Sequence, residues 1–574
     1  MAMMDRTGVA RSLEQIAAYL DFKGENPFRV RAFTTAAKSV LGFAGELDVG
    51  ITDGTLAQAK GIGPAILKVV TELVDTGRSA LLEELRADVP PGLVDMLEIP
   101  GLGVAKIRQI QETLGIETLP DLEAAARDGR LAALPRFGQR TAEKILTGIA
   151  FLRQASGWRL SHHAAQEAEA FRAAFARLPH ILAAHTAGEV RRRCEVVREL
   201  VTVLVADVPP QEVFDQLDRM PGVDEIAGDD ERRATLRFAG GGSVQVVVTP
   251  PQNLGAVLVQ ATGSEAHLAA LAKHAAAHGF NLAGAALWEG SRFVPTPTEE
   301  ALYAALALPW IPPELRESGD EVGRPVPSLV EFKDLRGFLH CHTSASDGTN
   351  TIQQLADACQ AAGYAYLGIT DHSRAAAYAG GLSPDEIRRQ WEAIDLINGT
   401  LSGFRVLKGI ESDILADGAL DYPDDLLAGF DFVIGSIHSR FNLSRDEMTE
   451  RVCRAMDSRY LTILGHPTGR LLLSREPYPI DLDRVFDKAA ATGVAIEINA
   501  DPHRLDLDWR VLGDARARGV MISIGADAHN LAGLANVDFG VGIARKGGLG
   551  PDAVLNCRDV GGFLAFARGR TTGH

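Results

Sequence analysis

The chain has 574 residues, 46% of them hydrophobic and 23% charged, and a formal net charge of −17 at neutral pH. That length exceeds what one core organises, so two to four domains are expected, and the acidic balance excludes indiscriminate binding to polyanions while leaving room for a local site. No long apolar run suggests a membrane span, the N-terminal MAMMDRTGVARSLEQ lacks the apolar core of a signal peptide, and five cysteines without a CxxC pattern suggest a disulfide-free, cytoplasmic protein.

Residues 1–150 read as helices joined by short glycine-containing turns, with helical apolar spacing over Val9–Tyr19 and Ala32–Ala44. One pattern occurs three times there: Gly61-Ile62-Gly63-Pro64, Gly101-Leu102-Gly103-Val104 and Arg136-Phe137-Gly138-Gln139. Each is a hydrophobe–glycine turn feeding a helix, an arrangement that offers free backbone amides to a phosphate. One copy reads as an ordinary helical hairpin; three at a spacing of roughly 35–40 residues read as a repeat. The pattern resembles the helix-hairpin-helix motif, which implies a sequence-independent grip on the DNA backbone. Gly61, Gly63, Gly101, Gly103 and Gly138 are then the candidate DNA contacts, and a monovalent cation is a candidate ligand of the turns.

Residues 165–179 read as an Ala-rich helix. Val201–Val205, Ala234–Phe238 and Val244–Val248 read as strands, and the Pro- and acid-rich stretch 311–330 as a linker. Beyond Leu335, apolar runs alternate with helical patterns: Tyr366–Thr370, Arg405–Ile410, Phe432–Ile437, Thr462–Leu464, Val494–Ile498 and Met521–Ile524. Such alternation implies a parallel sheet or barrel with its site at the C-terminal strand ends.

The ligand-type residues of this region fall at those ends. His340, His342 and Asp347 follow the first run; His372, Glu411, His438 and His466 each close a later one; Asp527 and His529 close the last. An i, i+2 histidine pair on an extended strand faces one side, which turns the intervening Cys341 away. A single histidine here reads as a satisfied structural residue; nine N/O ligands at repeated strand ends read as a site for two or three divalent ions such as Mn²⁺, Zn²⁺ or Fe²⁺. Such ions lower the pKa of bound water and neutralise phosphoryl oxygens, so hydrolysis of a phosphate ester is implied. Arg470 and Arg504 are candidates to hold the substrate phosphate, whereas His503 fits no ligand position.

The HxH, TDH, GxE, GSxH, GHP and GxDAH segments resemble the PHP domain over roughly residues 335–570, which implies a distorted (β/α)₇ barrel with a trinuclear site. Residues 1–330 resemble the bacterial family X DNA polymerases on the three turns, the Pro297–Arg316 segment and the attached PHP domain. The division implied is a helical DNA-binding region 1–90, further helix-hairpin-helix motifs 91–150, a polymerase-like palm and nucleotide-binding subdomain 151–315, a linker 316–334 and a PHP phosphoesterase domain 335–574. The fold class is thus multidomain, α+β and α/β.

The nucleotidyl-transfer site departs from that family. Glu189 replaces the phosphate-binding serine and Arg193 the glycine after the arginine pair, while the three metal-binding aspartates fall on Glu199, Val201 and Gln245. Two-metal phosphoryl transfer needs those carboxylates. The nucleotide-contacting aromatic pair is missing from Gln260-Ala261-Thr262-Gly263-Ser264, and the lyase lysine position is Val69, with Lys68 one residue early. The expected function is a metal-dependent phosphoesterase of gapped, nicked or 3′ DNA ends, in the first place a 3′→5′ exonuclease in repair. A gap-filling polymerase and a phosphatase of a small phosphomonoester are the alternatives.

Overall fold

The computed structural model describes residues 6–572 except 42, 44–46, 100–101, 156, 239–241 and 284. Gly101 and the end of the expected helix Ala32–Ala44 therefore lie outside the described residues. The chain forms two compact units, 1–157 with 473–475, and 158–472 with 476–574.

The first unit is built from helices. Arg6–Phe22 buries Val9, Leu13, Ile16 and Leu20 against Phe33, Ala37 and Val40 of Pro27–Leu41, the i, i+4, i+7 stripe of an amphipathic helix. Gly61 sits at φ +83° in the first turn, and a Cβ there would lie 2.9 Å from the Thr35 methyl, so only glycine serves. Gly63 and Gly103 cap the helices Pro64–Thr76 and Val104–Leu114 without a side-chain hydrogen bond. Gly138 precedes Gln139–Ala155. Among the described residues nothing approaches within 4 Å of where a Cβ would stand at Gly63, Gly103 or Gly138, so the backbone at these helix starts is open.

Among the described residues the second unit holds four sheets, the two largest of different design. The first has five strands in the order Ile181–Thr186, Val201–Ala206, Ser243–Thr249, Arg233–Phe238, Val223–Asp230. One face packs on Ser161–Phe175 and Pro210–Asp218 through Phe175, Val213, Leu217, Leu204 and Val246; the other meets Leu254–Thr262 through Val203, Val247 and Val257. The helix expected at 165–179 runs Ser161–Phe175 instead. Pro179 lies just beyond, and proline disfavours the helical conformation in the residue before it.

The segment expected as a linker is pinned rather than loose. Arg316 is fully buried and pairs with both Glu299 oxygens at 2.7 and 2.8 Å, Glu314 meets Arg545 at 2.7 Å, and Glu317 pairs with Lys546. Its acidic residues Glu314 and Glu317 are anchors, tying it to Arg545 and Lys546 of the helix Val537–Lys546 and to Arg192.

The second sheet has eight parallel strands ordered Arg405–Lys408, Tyr366–Ile369, Gly337–Cys341, Ile522–Ala528, Ala495–Asn499, Leu461–Leu464, Val433–Ser436, Glu411–Asp413. The two terminal strands are consecutive in sequence, so the sheet closes on itself, and a bridge between His372 and Glu411 spans the seam. The expected strand Arg405–Ile410 is thus broken in two. Gly409 marks the break: a Cβ there would lie 2.5 Å from the Phe432 ring and 2.6 Å from the Ile369 carbonyl. Counting the broken strand once gives the (β/α)₇ plan, with Leu367, Ile369, Val406, Val433, Ile496 and Ile522 in the main buried cluster.

Candidate metal centre

The barrel brings the nine predicted residues together. Among the described residues three groups hold N/O atoms within 4.8 Å of one another: His342, Asp347, His372 and His529; His340, His342 and Asp527; His372, Glu411 and His438. His466 belongs to none of these groups, but its Nε2 lies 3.0 Å from Glu411 Oε1. The backbone is unusual where three of these residues sit, with φ at +60° for His340, +25° for His466 and +51° for Asp527. The strand register also shifts between Leu339 and Cys341. His340 and His342 therefore converge, with ring centroids 5.4 Å apart, through a local irregularity and not through plain alternation. Cys341 points away as expected, its thiol donating to the Gly368 carbonyl.

Among the described residues several buried atoms in the centre lack a hydrogen-bond partner: His340 Nε2, His342 Nδ1, His372 Nδ1 and Glu411 Oε2. The last two lie only 2.8 Å apart, too poorly aligned for a hydrogen bond. Buried polar atoms are normally satisfied, and lone pairs converging in this way fit a bridging cation. The donor set of imidazoles and carboxylates, without thiolate, suits Mn²⁺, Zn²⁺ or Fe²⁺.

Electrostatics agree. Burial opposes charge on His372, His438 and His529, but neighbouring carboxylates outweigh it and push them up to about 10, 9 and 9. His340 is raised in the same way, against burial, by Glu497, Asp527 and Glu411, while Glu411 and Asp527 are held well below the usual carboxylate range by the same histidines despite burial. The centre favours positive charge, whether as protons or as cations.

Sequence reasoning missed the groups behind these side chains. Glu497, fully buried, accepts the His340 Nδ1 proton at 2.5 Å and the His466 amide at 2.7 Å. Asp413 takes His438 Nδ1 at 2.6 Å, and Asn499 donates to Asp527 at 3.0 Å. Asp371 accepts from the Thr343 amide at 2.7 Å and from Gln390 at 2.6 Å, shaping the loop that carries Asp347. A lone glutamate in the apolar strand Ala-Ile-Glu-Ile-Asn was the readable signal for Glu497.

The two arginines part company. Arg504 keeps its guanidinium at the centre, Nε 3.7 Å from Asp527 Oδ2. Arg470 does not fit a phosphate-binding role: Nε donates to the Arg504 carbonyl at 3.0 Å, Nη1 to Asp508 at 2.8 Å and Nη2 to the Leu505 carbonyl, so all three nitrogens hold a loop in place. His503 is exposed and pairs with Asp501 at 2.9 Å. At the rim stands Tyr378, 75% exposed, with its ring 6.4 Å from His372 and 6.5 Å from His438.

The nucleotidyl-transfer positions form a cleft of about 380 Å³ lined by Glu189, Arg192, Glu199, Val201, Gln245 and Gln260 among others. Val201 and Gln245 are register partners on adjacent parallel strands, as two metal-binding positions should be. Neither side chain offers the carboxylate that two-metal transfer uses. The arginine pair that would meet a triphosphate is engaged, Arg191 with Glu299 at 2.6 and 2.9 Å and Arg192 with Glu317 at 2.8 Å, and the adjoining Arg193 pairs with Asp538 at 2.6 Å. Glu189 accepts the Arg198 amide at 2.6 Å. In the first unit Lys68 is 79% exposed beside Glu72, while Val69 is buried.

Comparison with known proteins accounts for this layout. Residues 4–79 match the helix-hairpin-helix domain, 93–150 the SAM-like helix-hairpin-helix tandem, 257–317 the DNA polymerase beta thumb and 339–501 the PHP domain. The chain is 36% identical over 572 residues to the DNA polymerase/3′-5′ exonuclease PolX of Bacillus subtilis, covering 98% of this chain and all of that protein. The chain belongs to the PolX family. Shorter matches, each over 28% of the chain, are to a probable phosphatase of Acetivibrio thermocellus, 31% identical over 63% of its length, and to one of Syntrophotalea carbinolica, 29% identical over 64% of its length. As a PolX member with helix-hairpin-helix and thumb modules, the chain is a DNA-binding protein, and no described helix is long and apolar enough to cross a membrane.

Proposed function

We propose that this PolX-family chain is a divalent-metal-dependent phosphoesterase of DNA ends, in the first place a 3′→5′ exonuclease acting in the cytoplasm on gapped, nicked or 3′-terminal DNA. The observation that carries the reading is the set of buried, unpartnered donor atoms on His340, His342, His372 and Glu411. His340, His342, Asp347, His372, Glu411, His438, His466, Asp527 and His529 would hold two to three ions. When bound, these supply an activated water and neutralise the phosphoryl oxygens.

The chain's own groups do the positioning. Glu497 and Asp413 hold the Nδ1 protons of His340 and His438, which leaves each Nε2 for a ligand bond. Arg504, beside Asp527, would grip the scissile phosphate. Residues 1–90 and 91–150 would carry the DNA backbone on their open helix starts, with a monovalent cation at the turns, and 151–315 would retain the polymerase shape without nucleotidyl transfer, since Glu199, Val201 and Gln245 stand where three carboxylates are needed. The barrel domain would span 335–574.

The test is end-labelled primer–template with purified protein and Mn²⁺, Zn²⁺ or Fe²⁺. Wild type should shorten the 3′ end, and His340→Ala should lower the rate by at least ~10²-fold. DNA left intact with every ion would sink the reading. A small phosphomonoester substrate is the second reading, favoured by the names of the shorter relatives; rapid release of phosphate from p-nitrophenyl phosphate with DNA untouched would select it.

A further inference from the structure

We propose that Glu195 is a positioning residue for the barrel site: the disused phosphate loop of the polymerase half braces the barrel loop that carries Arg504. The inference rests on the exonuclease reading above and adds to it a residue outside the barrel. The loop runs from Asp501 to Asp508, between the strand Ala495–Asn499 and the helix Trp509–Ala517. Arg504 lies at its middle and reaches Asp527. On the barrel side, Arg470 ties the Arg504 and Leu505 carbonyls and the Asp508 carboxylate. Leu505 is buried at φ +41°, a conformation held only when surrounding contacts fix it.

The other anchor comes from the polymerase-like half. Glu195 is 6% exposed and accepts Trp509 Nε1 at 3.1 Å and Arg510 Nη1 at 2.5 Å. Arg510 in turn pairs with Asp508 at 3.0 Å, so Arg470, Asp508, Arg510 and Glu195 form one chain of charge. At the loop's other end the His162 ring lies 5.1 Å from His503, the neighbour of Arg504. The docking extends along the same segment: Arg193 pairs with Asp538, and Lys546 bonds the Arg192 carbonyl and Glu317 while lying over the Trp509 ring. The loop that bears Arg504 is therefore held between the two modules, and a buried charge at 195 without its partner arginine would be costly.

Full-length protein tests this with Glu195→Gln, Arg504→Ala and the double variant. In an otherwise unchanged chain Glu195→Gln should lower kcat/KM on end-labelled DNA roughly 10-fold, and in the Arg504→Ala background no more than about 2-fold. In metal-free protein it should speed amide exchange at Arg504 and Leu505, whose N–H groups bond the Asp501 carbonyl. Equal losses in both backgrounds, or unchanged exchange over 501–508, would overturn the proposal. Should Glu195→Gln fail to fold, Trp509→Phe removes one donor to Glu195 and is read by the same exchange. If wild type leaves DNA intact, the exonuclease reading fails, while the exchange measurement still decides whether Glu195 braces the loop.

Discussion

Replacing Glu497 with glutamine isolates what a carboxylate does behind the metal-facing histidines. The side chains share a shape, so no cavity opens, but one terminal oxygen becomes an NH₂ donor. Both oxygens are committed to donors, Oε1 to His340 Nδ1 at 2.5 Å and Oε2 to the His466 amide at 2.7 Å. Whichever way the amide turns, a donor faces a donor. The surroundings give no relief, because Glu497 packs so closely on Gly525 that a Cβ at 525 would lie 1.9 Å from Oε1. The arrangement that removes the clash moves the His340 proton to Nε2, the atom otherwise open to a cation. Losing one charge-assisted hydrogen bond is worth roughly 1.5–3 kcal/mol, and at about 1.4 kcal/mol per decade that is some 10- to 100-fold in metal affinity. Equilibrium dialysis of Mn²⁺ against metal-stripped full-length protein measures it. A Glu497→Gln variant binding Mn²⁺ within about 2-fold of wild type would refute the reasoning.

Further outcomes follow from the same geometry. Because His372, His438 and His529 are raised to about 10, 9 and 9, they carry protons at pH 7.5, and Mn²⁺ binding should release protons, seen as a buffer-dependent heat in calorimetry; a heat independent of buffer would contradict this. Tyr378→Ala should raise KM for DNA by roughly 5- to 100-fold with kcat little changed, as expected for an exposed ring that stacks on a base, and an unchanged KM would remove that role. Burial raises the Glu299 carboxyl, but the Arg316 and Arg191 forks outweigh it and hold it at about 2, below its ordinary 4.5; its contribution is therefore present above pH 4.5 and fades as pH falls towards 2. Glu299→Gln should cost about 3–5 kcal/mol near neutrality, with the gap to wild type narrowing in melts below pH 4. Primer extension should be absent with Mg²⁺ or Mn²⁺ even in His340→Ala, where degradation no longer masks it; template-directed incorporation would refute the account of Val201 and Gln245.

Much of the barrel was legible because its strands are apolar runs ending in chemistry-bearing residues, and parallel strands deliver such ends to one rim. The break at Gly409 was not, since it depends on Phe432 arriving from another strand. The approach of His340 to His342 was predicted from alternation, yet the chain achieves it with a register shift and a positive φ that no pattern announces. Arg470 sits beside a ligand in sequence, but its direction is set by the carbonyls of a loop more than thirty residues away. Acidic residues 314 and 317 looked like linker composition because their basic partners, Arg545 and Lys546, lie far along the chain.

If the polymerase half lacks nucleotidyl transfer, as proposed above, its engaged arginines would make that loss hard to reverse. Val201→Asp and Gln245→Asp would set two carboxylates side by side on paired strands, but a triphosphate would still find Arg191 and Arg192 occupied by Glu299 and Glu317. Freeing Arg191 means removing Glu299, which takes from the buried Arg316 its carboxylate; freeing Arg192 means removing Glu317, which takes from the buried Lys546 its carboxylate. On that reading each step back would pass through a less stable protein, so a route to catalysis one substitution at a time would be closed by packing as much as by the missing carboxylates.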